Sequence, residues 1–214
     1  APIHPAAFDR LQEHLDTKTT LRPMAIITGG PAVGKRKLIE RLLNANSGYV
    51  AFIHQCQRNE APLSLAATIA QWFSYYDDAE IQAAAATCRA AFEQRHTSKA
   101  LLAMGKIVEI CGKKGKKIAC IILHSEFLDS LSLSFLQSVH ITSRKGHTGI
   151  CGKAIGDVDF ASAGRWTTLL THVPLFGATS VNKILSAMVH TSCPTARKSI
   201  PVISIGAMKI EDRE

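Results

Sequence analysis

The sequence predicts an α/β fold, a three-layer sandwich built on a mainly parallel sheet of about five strands. Two observations carry this reading. Short apolar runs alternate with amphipathic stretches along most of the chain, the pattern of strand–helix–strand units joined by crossovers. The first such run, "MAIIT" at residues 24–28, passes through a glycine pair and a tight turn directly into an amphipathic stretch, so strand, loop and helix follow without a spacer.

"FDRLQEHL" puts Phe8, Leu11 and Leu15 at helical spacing. "MAIIT" is entered from Pro23 and ended by Gly29 and Gly30, which marks a short buried strand. "KRKLIERLL" places Leu38, Ile39, Leu42 and Leu43 on one face and is a helix. "YVAFIH" is a second strand. Pro62 opens a helix that runs to Tyr75 or Tyr76, with Leu65, Ile69, Trp72 and Phe73 on its apolar face. "DDAEIQAAAATCRAAFEQR" starts with a capping Asp77–Asp78 pair, and "SKALLAMGKIVEIC" is a further helix. "KIACIIL" is a continuous apolar run after a basic turn, as in a strand buried on both faces. "LSLSFLQ" reads as a helix, "VHIT" at residues 139–142 as the fourth strand, and "TTLLTHVPL" as a fifth. Residues 145–164 have no period and form a long loop; "SVNKILSAMVH" is a helix and "IPVISIG" a terminal strand.

The chain has 214 residues, enough for one sizeable core, and a formal charge of +8. That balance favours anionic partners. The densest basic cluster is "GKKGKK" at residues 112–117, followed by "SRKGH" at 143–147; a cluster between two elements is most often a solvated turn. The six cysteines have no C-x-x-C spacing, so neither a metal site nor a disulfide framework is expected, and free thiols point to an intracellular setting, cytoplasmic or nuclear. No apolar run reaches the roughly 18 residues of a membrane span, and the start of the chain lacks the pattern of a secretory signal.

The chemistry concentrates in "GGPAVGKRK", Gly29, Gly30, Pro31, Ala32, Val33, Gly34, Lys35, Arg36 and Lys37. Gly29, Gly30 and Gly34 permit a tight turn and positive φ. Successive N–H groups then line a concavity for anionic oxygens, the following helix dipole adds to it, and Lys35 reaches for the terminal phosphates. The hydroxyl that ligates Mg²⁺ in the full motif is replaced by Arg36. Arg36 either turns its guanidinium to the phosphates in place of the metal or turns outward to solvent. The acids expected at the end of the "IACIIL" strand are replaced as well: His124 and Ser125 stand there, with Glu126 and Asp129 just beyond. A histidine at a strand end is most simply one satisfied by a backbone carbonyl. Both replacements remove support for the same ion, which argues against efficient Mg²⁺-dependent hydrolysis.

Taken together, the chain resembles the nucleotide-binding domains of AAA+ and STAND ATPases, P-loop NTPases whose two motifs are degenerate in this sequence. "MAIITGGPAVGKRKLIERLL" looks like their Walker A segment and "KKIACIILHSEFLDSLSLSFLQ" like their Walker B segment. "SVHITSR" resembles their sensor strand, and "THVPL" the turn that STAND proteins place after it. The resemblance covers residues 8–190 and implies a sheet order of 5-1-4-3-2 with the sensor strand between the Walker strands. It further implies one domain over residues 1–190, a C-terminal tail over 191–214 with an extra strand, ATP or ADP as ligand with no support for Mg²⁺, and protein partners or self-association. Glu126 is then the candidate catalytic acid, Thr142 the sensor and Arg144 its cationic neighbour. The implied function is a switch or scaffold module in a larger assembly, with hydrolysis weak or lost. The alternative is an origin-recognition-like subunit of a DNA-replication ATPase, binding DNA through its basic surface. A small-substrate kinase lacks its catalytic acid and lid arginines here.

Overall fold

The computed structural model describes residues 4–16, 24–46, 48–140, 166–174 and 200–206. Among these, the elements are α1 (Pro5–Asp16), β1 (Met24–Thr28), α2 (Lys35–Ala45), β2 (Tyr49–Gln55), α3 (Ser64–Phe73), α4 (Ala79–Glu93), α5 (Thr97–Lys113) and β3 (Lys117–Leu123). A short 3₁₀ turn (Ser125–Phe127), α6 (Ser130–His140), β4 (Trp166–His172) and β5 (Val202–Ser204) complete them.

The strands form one five-stranded sheet in the order β2-β3-β4-β1-β5, and every ladder is parallel. Read from the other edge this is the order 5-1-4-3-2, the arrangement of a P-loop NTPase fold. Side chains alternate across β1: Met24 and Ile26 join one core cluster, Ala25 and Ile27 the other. The first cluster packs α3, α4, α5 and α6 on one face, with Phe52, Phe73 and Trp166 meeting edge to face. The second packs α1 and α2 on the opposite face through Leu11, Leu15, Leu38, Ile39 and Leu42. The result is the three-layer sandwich expected from the alternation.

Two elements differ from the sequence reading. Val139 and His140 are the last residues of α6, so they do not open a strand; residues 141 and 142 lie outside the described residues. Val139 is fully buried beside Phe135 and Leu136 at helical spacing, and that packing overrides its β preference. The strand between β1 and β3 is instead Trp166–His172, taken from the sequence as a fifth strand. In the second case, α3 begins at Ser64, just beyond the expected start. Leu63 adopts a left-handed conformation (φ 63°), and Asp129 accepts the Leu63 and Ser64 N–H groups at 2.8 and 3.3 Å. The helix expected over "SVNKILSAMVH" and the loop at residues 145–164 lie outside the described residues. The C-terminal strand read from "IPVISIG" supplies β5, which adds to β1 at the sheet edge. Among the described residues, no helix is long and apolar enough to cross a membrane.

Candidate functional site

All five strands point their C-terminal ends to one edge of the sheet, where parallel α/β sheets hold their ligands. At that edge the chain leaves β1 through Gly29 and Gly30, passes over exposed Pro31 and Ala32, and enters α2 at Lys35. The positive φ values of the loop fall at Ala32 (57°) and Gly34 (90°), and not at Gly29 or Gly30, as the glycine count had suggested. Gly29 serves a different need. A Cβ there would lie 2.4 Å from the Ile205 carbonyl oxygen and 3.2 Å from Val33 Cγ2, so only glycine lets the loop pass beside β5. Val33 turns inward and is buried, and its carbonyl accepts a hydrogen bond from His4 Nε2 at 2.7 Å, which ties the start of α1 to the loop.

The first N–H groups of α2 have no carbonyl within their own helix to bond, and Gly34 caps the helix with backbone alone. Lys35 is buried, and its ammonium group donates to the carbonyls of Gly29 (2.8 Å) and Gly30 (2.5 Å). Burial lowers the Lys35 pKa, while the Glu126 carboxylate opposes that shift. These features fit a phosphate group: a loop turned by two left-handed residues, helix-start amides without an intrahelical partner, and a lysine folded onto the loop.

The side expected to bind Mg²⁺ is built differently. Arg36 points outward, with its Nε donating to Glu40 Oε1 at 2.8 Å and its side chain 65% exposed. Of the two orientations open to Arg36 it takes the solvent-facing one; Lys37 is exposed as well. His124, at the end of β3, is a left-handed residue (φ 59°) whose N–H donates to Thr171 Oγ1 at 3.2 Å. Its Nδ1 lies 3.2 Å from Glu126 Oε1, so its partner is a carboxylate and not a backbone carbonyl. Ser125 is fully buried, with its hydroxyl 3.3 Å from His172 Nδ1.

Glu126 is the acid that the fold delivers to this edge. It is 2% exposed, its Oε2 accepts the Val173 N–H at 3.0 Å, and its charge favours the protonated form of Lys35. His172, the last residue of β4, stands 4.0 Å from the same oxygen. Burial lowers the His172 pKa; the Glu126 carboxylate opposes that shift and Lys35 adds to it. Arg36 is turned away from this position, and each Glu126 oxygen has one partner, His124 Nδ1 for Oε1 and the Val173 N–H for Oε2.

His172 and Thr171 were missed as site residues from sequence. They occupy the end of the strand between β1 and β3, the place the resemblance gave to the sensor. The signal was the "TH" that ends the apolar run "TTLL". Thr142 and Arg144 lie outside the described residues.

The "GKKGKK" turn sits at the opposite edge of the sheet, where β3 begins. Lys113 pairs with Glu109 at 2.5 Å, and Lys114 with Asp78 at 2.6 Å and Glu80 at 3.1 Å. Lys116 and Lys117 stand over the rings of Tyr76 and Tyr49 at 5.8 and 5.9 Å.

No known family model and no curated protein matches the sequence. Solved structures do. The ORC2 protein of Aeropyrum pernix, solved in ADPNP–ADP complexes, superposes with a TM-score of 0.52 at 16% identity, over 97% of this chain and 47% of that one. A Walker-type ATPase of Pyrococcus abyssi, paby2304, gives a TM-score of 0.46 at 11% identity, over 97% of this chain and 54% of that one. The chain thus spans about half the length of the structures it matches. The first likeness agrees with the P-loop NTPase fold read from the sheet order.

Proposed function

We propose that this chain is a nucleotide-binding P-loop module of the origin-recognition kind, holding ATP or ADP through Gly29–Lys35 with hydrolysis weak or lost. The carrying observation is the loop itself: left-handed Ala32 and Gly34, a close-packed Gly29, and a buried Lys35 folded onto the Gly29 and Gly30 carbonyls. Within a larger assembly the module acts as a switch or scaffold. Phosphate oxygens draw Lys35 from the Gly29 and Gly30 carbonyls, which shifts the charge balance at Glu126 and His172. The likeness in fold to the ORC2 protein supports this kind over a signalling switch.

Calorimetric titration with ATP and ADP, in Mg²⁺ and in EDTA, tests it. Both nucleotides bind, with Mg²⁺ changing the affinity little. Lys35→Ala binds at least tenfold more weakly, the loss of about 1.5–3 kcal/mol expected for a charged hydrogen bond. Arg36→Ser restores a Mg²⁺ dependence. Absence of binding in either condition by the folded wild-type chain overturns the proposal.

Contact with DNA is the second reading, favoured by the charge of +8. The lysines at residues 113–117 are paired with acids or rings within the fold, so this reading does not draw on that turn. Fluorescence anisotropy with duplex DNA then shows an affinity that falls steeply with salt. A double Lys116→Ala, Lys117→Ala variant retains the wild-type curve. No retention of duplex at low salt removes this reading.

A further inference from the structure

We propose that His54, Cys56 and Glu60 form a zinc-binding site where β2 ends and turns toward α3. The three ligand atoms all lie within 4.8 Å of one another, and the residues come from a single seven-residue segment. His54 Nε2 and Glu60 Oε2 are 3.7 Å apart. That is too long for a hydrogen bond and close to the spacing of two ligands on one tetrahedral ion, about 3.3–3.7 Å for zinc bond lengths near 2.0–2.3 Å.

The surroundings leave a place for a cation. Glu60 Oε2 is a buried oxygen with no hydrogen-bond donor. Cys56 and His54 are 2% and 3% exposed. Packing accounts for Cys56, a member of the core, and hydrogen bonding for His54, whose ring nitrogens meet Thr68 and Ser64. They do not account for a carboxylate turned without a donor toward a buried thiol. A dication with one thiolate, one carboxylate and one neutral imidazole is charge-balanced, and that mixed S/N/O set suits zinc. On binding, the Cys56 S–H bond breaks, the sulfur bonds to zinc and the proton leaves to solvent.

The outer partners suit the role. Thr68 Oγ1 lies 2.8 Å from His54 Nδ1, which lets Nδ1–H donate there and turns the Nε2 lone pair toward Glu60 and Cys56. Ser64 Oγ lies 3.2 Å from Nε2 and donates to Asp129 Oδ2 at 3.2 Å, so the ion would take Nε2 in place of its contact with Ser64. Three protein ligands leave the fourth position to water. The ion would pin the segment between β2 and α3 to the sheet edge, separately from the phosphate loop on β1.

Titration of the metal-free full chain with Co²⁺, followed by competition with Zn²⁺, is the test. The wild-type chain binds one Co²⁺, with visible d–d bands and a thiolate charge-transfer band that Zn²⁺ abolishes. Cys56→Ser loses the charge-transfer band, while Cys111→Ser keeps it. Glu60→Gln, on the partly exposed side of the site and confirmed folded by circular dichroism, binds Zn²⁺ at least tenfold more weakly. Thr68→Val weakens it about tenfold through the imidazole. A wild-type chain without the thiolate band, a band that survives Cys56→Ser, or an unchanged Zn²⁺ affinity in folded Glu60→Gln overturns the proposal.

Discussion

A Cβ at Gly29 meets the Ile205 carbonyl, whose own residue donates its N–H to Thr28 at 2.9 Å. Neither backbone can retreat without giving up sheet hydrogen bonds. Gly29→Ala therefore costs about 2 kcal/mol by urea denaturation, in the range for overpacking. Gly30→Ala, with only an ordinary 3.7 Å contact to Val33, costs far less. Charge acts at the same scale. Burial lowers the pKa of His14, opposed by its bond to the Met24 carbonyl, and burial also lowers that of His172. Both imidazoles are then neutral when folded at pH values where the unfolded chain binds protons. Their contribution is fully present above about pH 6.5 and is lost as pH falls toward the depressed folded values. Stability by urea midpoint drops between about pH 7.5 and 5.5, and His14→Gln or His172→Gln flattens the drop. A midpoint that rises on acidification contradicts this account.

Among the elements, the start of α6 does more than begin a helix. Asp129 accepts the Leu131 and Ser132 N–H groups at 3.0 and 2.9 Å and the Ser132 hydroxyl at 2.6 Å, while also holding the start of α3. Burial raises its pKa, but the Ser132, Leu63 and Ser64 hydrogen bonds outweigh burial and leave it below the usual carboxylate range. Asp129→Ala removes two helix caps and leaves amides unpaired, for a loss of about 3 kcal/mol in chemical denaturation. Near wild-type stability for that variant contradicts the shared-cap role. Legibility also divides by element. β1, α2, β2 and β3 were plain in sequence because their apolar periods are unbroken and glycine or proline bounds them. "VHIT" misled because a short apolar run has no period of its own, and only contact with Phe135 and Leu136 assigns Val139 to a helix. The phosphate loop was legible as a cradle of glycines and a lysine. The outward turn of Arg36 was not, since it depends on Glu40 one helical turn later, and the placing of His172 depends on strand order.

At the scale of the whole molecule, the sheet separates two charged regions. One edge gathers the phosphate loop, Glu126 and His172; the other gathers lysines already matched to acids and aromatic rings. Net charge thus says little about where an anion settles, and the loop's local backbone says more. The order of the strands has a consequence in time. β1 is the first of the described strands, yet both its neighbours, Trp166–His172 and Val202–Ser204, follow every other described element. Its pairings are the most distant in the sheet, which sets them late in folding. On the ribosome, the loop after β1 emerges before β4 and β5 and waits for them before its strand has a place to lie. The strand that carries this loop is therefore among the last of the described elements to be locked in place.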